Sequence, residues 1–163
     1  MSYRHEVHRL PTAWILVGDR GRARLLTAGW PGLEDPSEIA DFVCPEGNLS
    51  PHEVYSDSLG RNRDPQGRSY TDEPETDLRH ATALSFARTI AEALDKGRMD
   101  NRFGHLVIVA PPLFLGTLRG CLSEPLRRVV ELELNEELVR LQLPAIVDRL
   151  QRAMTTPAAA DEG

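Results

Sequence analysis

Two runs of consecutive apolar residues stand out along the chain, Ala13-Trp14-Ile15-Leu16-Val17 and Leu106-Val107-Ile108-Val109-Ala110. Runs this short, with no polar alternation, predict strands buried on both faces. Gly18-Asp19-Arg20-Gly21 follows the first run and predicts a hairpin turn. Arg22-Ala23-Arg24-Leu25-Leu26 begins by alternating, which predicts a returning strand with its arginines toward solvent. A third strand is expected over 38–44, with Ile39 and Val43 in phase, and Pro45-Glu46-Gly47 ends it. The period then changes. Leu84, Ala87, Ala91 and Leu94 share one face of a helix expected over 78–96, with Gly97 placed to stop it. Pro111-Pro112 opens a second helix through Leu122, and a fifth strand is expected over 129–134. Asn135, followed by Glu136 and Glu137, is read as the cap of a last helix. Its apolar stripe runs through Leu143, Ile146, Val147, Leu150 and Met154, with Pro144 as a kink or restart.

The resulting order is β-β-β-α-β-α-β-α. Three strands with short links predict an antiparallel meander, and strands joined through helices predict parallel pairing by right-handed crossovers. The expected fold is therefore α/β, a three-layer arrangement around a mixed five-stranded sheet, which is the ribonuclease H-like topology. The expected organisation is a polar N-terminal tail (1–10), one domain (11–154) and a disordered tail (155–163). Within the domain, the polar segment 45–78 has no hydrophobic period and reads as a long loop, a length usually associated with function or disorder.

Composition narrows the chemistry. The 163 residues suit one ordinary domain, and no apolar run reaches the length of a membrane span. The polar first ten residues do not read as a secretory signal, so a cytoplasmic location is expected. Two cysteines, Cys44 and Cys121, cannot form a disulfide framework or a four-thiolate zinc site. The formal charge of −6 is an average over blocks of opposite sign. Residues 1–30 carry five arginines against two acids, whereas 31–57 hold seven acids and no base. Arg61, Arg63 and Arg68 return the sign to positive before Asp72, Glu73, Glu75 and Asp77 reverse it. Such blocks fit either internal ion pairing or a local anion site, since arginine forks suit phosphate and carboxylate.

No catalytic set assembles. A two-metal nuclease of this topology needs several converging carboxylates. The first strand ends at Asp19, but the fourth offers only apolar residues before Pro111-Pro112. Lys96 is the only lysine and lies in Asp95-Lys96-Gly97, outside any phosphate-binding loop motif. His5-Glu6-Val7-His8 is one residue short of a zinc-protease motif. Ser69 lacks a nucleophile elbow. No metal or cofactor is implied. Candidate anion- or RNA-binding residues are Asp19, Arg20, Arg22 and Arg24 in the hairpin, with Arg61, Arg63, Gln66, Gly67, Arg68 and Ser69 in the loop. Arg79 and His80 at the head of the first helix complete the set.

Trp14-Ile15-Leu16-Val17-Gly18-Asp19-Arg20-Gly21-Arg22-Ala23-Arg24-Leu25 resembles the opening of the bacterial host-attachment protein family, named for a role in attachment to host cells. Pro45-Glu46-Gly47, Gly67-Arg68-Ser69-Tyr70, Phe86-Ala87-Arg88 and the stretch from Leu106 to Arg119 agree with it in order. These blocks cover about residues 12–140. That family in turn resembles the middle domain of archaeo-eukaryotic class-one peptide release factors, which has the ribonuclease H-like topology. In those factors a Gly-Gly-Gln tip precedes the long helix and reaches the peptidyl-transferase centre. The corresponding loop here, 57–78, holds Pro65-Gln66-Gly67, so the resemblance implies ribosome binding but not peptidyl-tRNA hydrolysis. Expected partners are therefore RNA or the ribosome. The alternative is a protein partner meeting the acidic strip in a regulatory module that affects attachment indirectly. A hydrolase with a site around Asp19, Arg68 and His80 is a third reading.

Overall fold

Strand β1 (Thr12–Gly18) lies at the centre of the molecule, paired antiparallel to β2 (Arg22–Gly29) and parallel to β4 (His105–Val109). With neighbours on both edges and layers on both faces, residues 13–18 are all buried, which is why the run shows no alternation. β3 (Ser37–Val43) pairs antiparallel with β2, and β5 (Val130–Leu134) pairs parallel with β4. The five-stranded mixed sheet has the order β3-β2-β1-β4-β5. The computed structural model describes residues 10–44 and 72–155, with side chains from Leu78 onward in the second stretch.

Helices cover both faces. Trp14, Leu16, Leu106 and Ile108 form one core with α1 (Asp72–Met99), α2 (Pro112–Cys121) and α3 (Glu124–Arg128). Ile15, Val17, Val107 and Val109 form the second with Leu138, Val139 and α4 (Leu143–Thr155). The expected α/β architecture and its mixed five-stranded sheet are present. The element order gains one helix and becomes β-β-β-α-β-α-α-β-α.

That extra helix, α3, spans five residues, too short to leave a hydrophobic period. Ser123 caps it by accepting the Leu126 N–H at 3.2 Å, and the same hydroxyl donates to Asp95 Oδ1 at 3.1 Å, which fastens α3 to α1.

Four expectations need correction. α1 begins at Asp72, inside the stretch expected as loop, and runs past Gly97 to Met99. Gly97 serves packing instead of termination. A Cβ there would lie 2.4 Å from the Trp14 indole, itself stacked on Phe103 at 4.6 Å between ring centroids. The last helix starts at Leu143 and not at Asn135. Leu138 and Val139 are drawn into the second core, and the carbonyls of Val139 and Leu141 are taken by Arg24, which holds 135–142 out of helical form. Pro144 then occupies the first turn of α4, where a missing N–H costs nothing.

The third correction concerns β3, which spans 37–43. A bulge opposite Leu25 and Leu26 shifts the register. Ala40 and Phe42 pack on the core, leaving Ile39 and Val43 exposed at 43% and 56%. The fourth concerns Arg24, expected toward solvent but only 8% exposed, because β2 is covered on both faces.

α2 carries two glycines of a different kind from Gly97. A Cβ on Gly116 or Gly120 would meet no atom of a described residue within 4 Å. Glycine in a helix interior costs about 0.5–1 kcal/mol relative to alanine, and no contact among the described residues requires that cost here.

Candidate functional site

In open α/β sheets the carboxyl ends of the parallel strands are the usual place for a site. Here that rim is formed by the turn after β1, the Ala110-Pro111-Pro112 link after β4, and the head of α1. Ala83 is the first buried residue of α1 among the described side chains and shares a core with Ala23 and Cys44 near the end of β1. The preceding turns, from Asp72, therefore carry the helix about 16 Å past that level at 1.5 Å per residue. Arg79 and His80 sit exposed on this overhang.

The turn itself is held by Asp19. Its Oδ1 accepts the backbone N–H groups of Gly21 at 2.8 Å and Arg22 at 2.9 Å, while its own N–H donates to the Arg22 carbonyl. This is the Asx-turn chemistry that makes aspartate a good turn residue. It gives the Asp19 carboxylate a structural occupation.

The hairpin arginines divide by position. Arg24 donates from Nε and Nη2 to the Glu38 carboxylate (3.2 and 2.9 Å), and from Nη1 to the carbonyls of Val139 (2.8 Å) and Leu141 (2.6 Å). Every arm of its fork is thereby used within the fold. Arg22 reaches Asp41 at 3.4 Å across an exposed surface, a weaker tie. Arg20, at the tip, is half-exposed and pairs with no described residue. Thus Arg20, Arg79 and His80 lie at the rim, whereas Arg22 and Arg24 are engaged with β3 and the 135–142 segment. Arg61, Arg63, Gln66, Gly67, Arg68 and Ser69 lie outside the described residues.

Two further polar clusters lie away from this rim. His105 Nδ1 is 2.6 Å from Glu131 Oε2, and its ring stacks on Trp30 at 5.1 Å between centroids. No sequence signal links three residues so far apart. On the opposite face of β5, Arg119 donates to Glu133 Oε1 from Nε (3.0 Å) and Nη2 (2.6 Å). Hydrogen bonding and the charge of Glu133 hold Arg119 above the ordinary guanidinium pKa, and a hydrogen bond to Glu136 does the same for Arg149. Both stay charged throughout the physiological range.

Among the described residues, no three His, Cys, Asp or Glu side chains are grouped so as to hold a metal ion, and no helix is long and apolar enough to cross a membrane. Cys44 and Cys121 form no disulfide with each other. The family model described as protein required for attachment to host cells matches residues 14–150. The chain belongs to the host-attachment family. The match runs from inside β1 into α4, so this family's signature spans the sheet, both cores and the rim. No curated protein matches this host-attachment family member.

Proposed function

We propose that this host-attachment family member is a non-catalytic, cytoplasmic RNA- or ribosome-binding module without peptidyl-tRNA hydrolase activity, working from the rim at the carboxyl ends of β1 and β4. The observation that carries this reading is Arg20. Its guanidinium stands at a turn rigidified by Asp19, has no described partner, and shares the rim with Arg79 and His80 on the overhanging helix. A fixed cation of this kind suits a phosphate backbone. The strand order β3-β2-β1-β4-β5, with a meander followed by crossovers, supports a ribonuclease H-like fold related to the release-factor middle domain.

Co-sedimentation with ribosomes tests the reading. Binding at low salt is expected to fall steeply as salt rises, because counterions released from phosphates return. Replacing Arg20 together with Arg61, Arg63 and Arg68 by alanine should weaken it further. Absence of ribosome or RNA association at low salt overturns the proposal. One observation favours a protein-interaction module instead: Asp41 and Glu38 answer Arg22 and Arg24, which reduces the positive charge the hairpin presents. A defined protein partner whose capture is insensitive to ribonuclease would decide for that reading.

A further inference from the structure

β5 is the last strand of the sheet, bonded to β4 and to no other described strand. An open edge of this kind is a template for an added strand. Beside it, on the α2 face, runs a groove of about 340 Å³ bounded by Gly116, Arg119, Gly120, Arg127, Val130 and Glu133. We propose that this edge and groove dock an extended segment of another protein, added to β5 as a strand, with an acidic side chain set against Arg119 and Arg127.

Three independent observations converge on that partner. The first is the pair of glycines. Gly116 and Gly120 lie one turn apart on α2, in ordinary helical conformation, with open space where each side chain would be. The internal packing of the fold does not call for them, and their effect is to bare the helix backbone along the groove. A bare wall admits the close approach of another main chain.

The second is charge. Two guanidiniums face one carboxylate. Arg119 holds a single oxygen of Glu133, and Arg127 spends one nitrogen on the Arg119 carbonyl at 3.2 Å. The remaining donors of Arg119 and Arg127 have no described partner. The groove is therefore net positive and selects an acidic residue.

The third is Leu113, 88% exposed and three and seven residues before the glycines, hence on the same face of α2. An apolar side chain of the added strand can rest there, about 10 Å from the cationic end. A second copy of this chain fits less well. Antiparallel pairing of two β5 strands about Glu133 would set two Glu133 carboxylates, each already held by its own Arg119, directly across from one another, and like charges across strands repel.

The probe is a synthetic nonapeptide of alternating Val and Thr with Glu at its centre, compared with the same peptide carrying Lys. Fluorescence anisotropy and amide hydrogen exchange read the outcome on the full chain. The Glu peptide is expected to bind about tenfold tighter than the Lys peptide and to slow exchange at residues 130–134. Arg127→Glu should reverse that preference. Gly116→Ala and Gly120→Ala should raise the melting temperature while weakening the peptide, a combination that a purely internal role for the glycines would not produce. Equal affinity for the two peptides, or protection at β3 in place of β5, overturns the proposal. So does concentration-dependent dimerisation that protects β5 without peptide, or displacement of the peptide by an oligoribonucleotide. Arg20→Ala should leave peptide binding intact, which separates this surface from the rim.

Discussion

Arg24 illustrates how one residue can serve the fold with chemistry that resembles a binding site. An arginine next to a turn, two positions from another arginine, has the pattern of an anion clamp. Its fork instead joins β2 to β3 through Glu38 and to the 135–142 segment through two main-chain carbonyls. Removing it leaves a half-buried carboxylate and two carbonyls without their donor. Arg24→Ala is therefore expected to cost about 2–4 kcal/mol in urea denaturation, and Arg24→Ala with Glu38→Ala less than the sum of the two single changes. An additive pair would mean that Glu38 is not the partner that matters. Nothing in the local sequence distinguishes Arg24 from Arg20. The difference lies in contacts more than a hundred positions away, which no periodicity encodes.

At the scale of elements, the three helical glycines have opposite consequences. Gly97 lies against the Trp14 ring, whereas Gly116 and Gly120 border empty space. Gly97→Ala should destabilise by about 1–3 kcal/mol through overpacking and alter Trp14 fluorescence. Gly116→Ala and Gly120→Ala should each stabilise by about 0.4–1 kcal/mol, since alanine suits the helix and reduces the freedom of the unfolded chain. Thermal melts of the three single variants check the sign of each. Elements made by long apolar runs or strong helical stripes were legible before the structure: β1, β4, α2 and the body of α1. Those decided by tertiary contact were not. The exposed Ile39 and Val43 look core-like in sequence, but they alternate with Ala40 and Phe42, and it is those two that pack on the core. The Asn135-Glu136-Glu137 signal for a helix start is genuine in chemistry, yet burial of Leu138 and Val139 and the pull of Arg24 override it. Of the candidate site, the hairpin turn was legible from Gly18-Asp19-Arg20-Gly21, but which of its arginines remained unengaged was not.

At the scale of the whole molecule, the described residues cover the sheet unequally. Three helices serve one face, whereas the other depends on α4, the 135–142 segment and Leu33 from the β2–β3 link. Leu150 is fully buried there, facing strands from the centre of the sheet. Leu150→Ala is expected to cost about 2–5 kcal/mol. Because β1 contributes alternate residues to both cores, the loss should spread across the sheet. Hydrogen exchange should accelerate in β1 and β4 together with α4, in one cooperative unit. Acceleration confined to α4 would show that the second core opens independently of the first.

Lys96 has a practical consequence. It is the only lysine in the chain, it projects from the last turn of α1 with its side chain 76% exposed, and its salt bridge to Asp100 is a surface one. That end of the helix is the one farthest from the overhang. An amine-directed reagent therefore meets a single side-chain target, set about 25 Å along the helix from Arg79. Tethered through that nitrogen, the molecules would share one orientation and turn the Arg20 rim away from the surface that holds them.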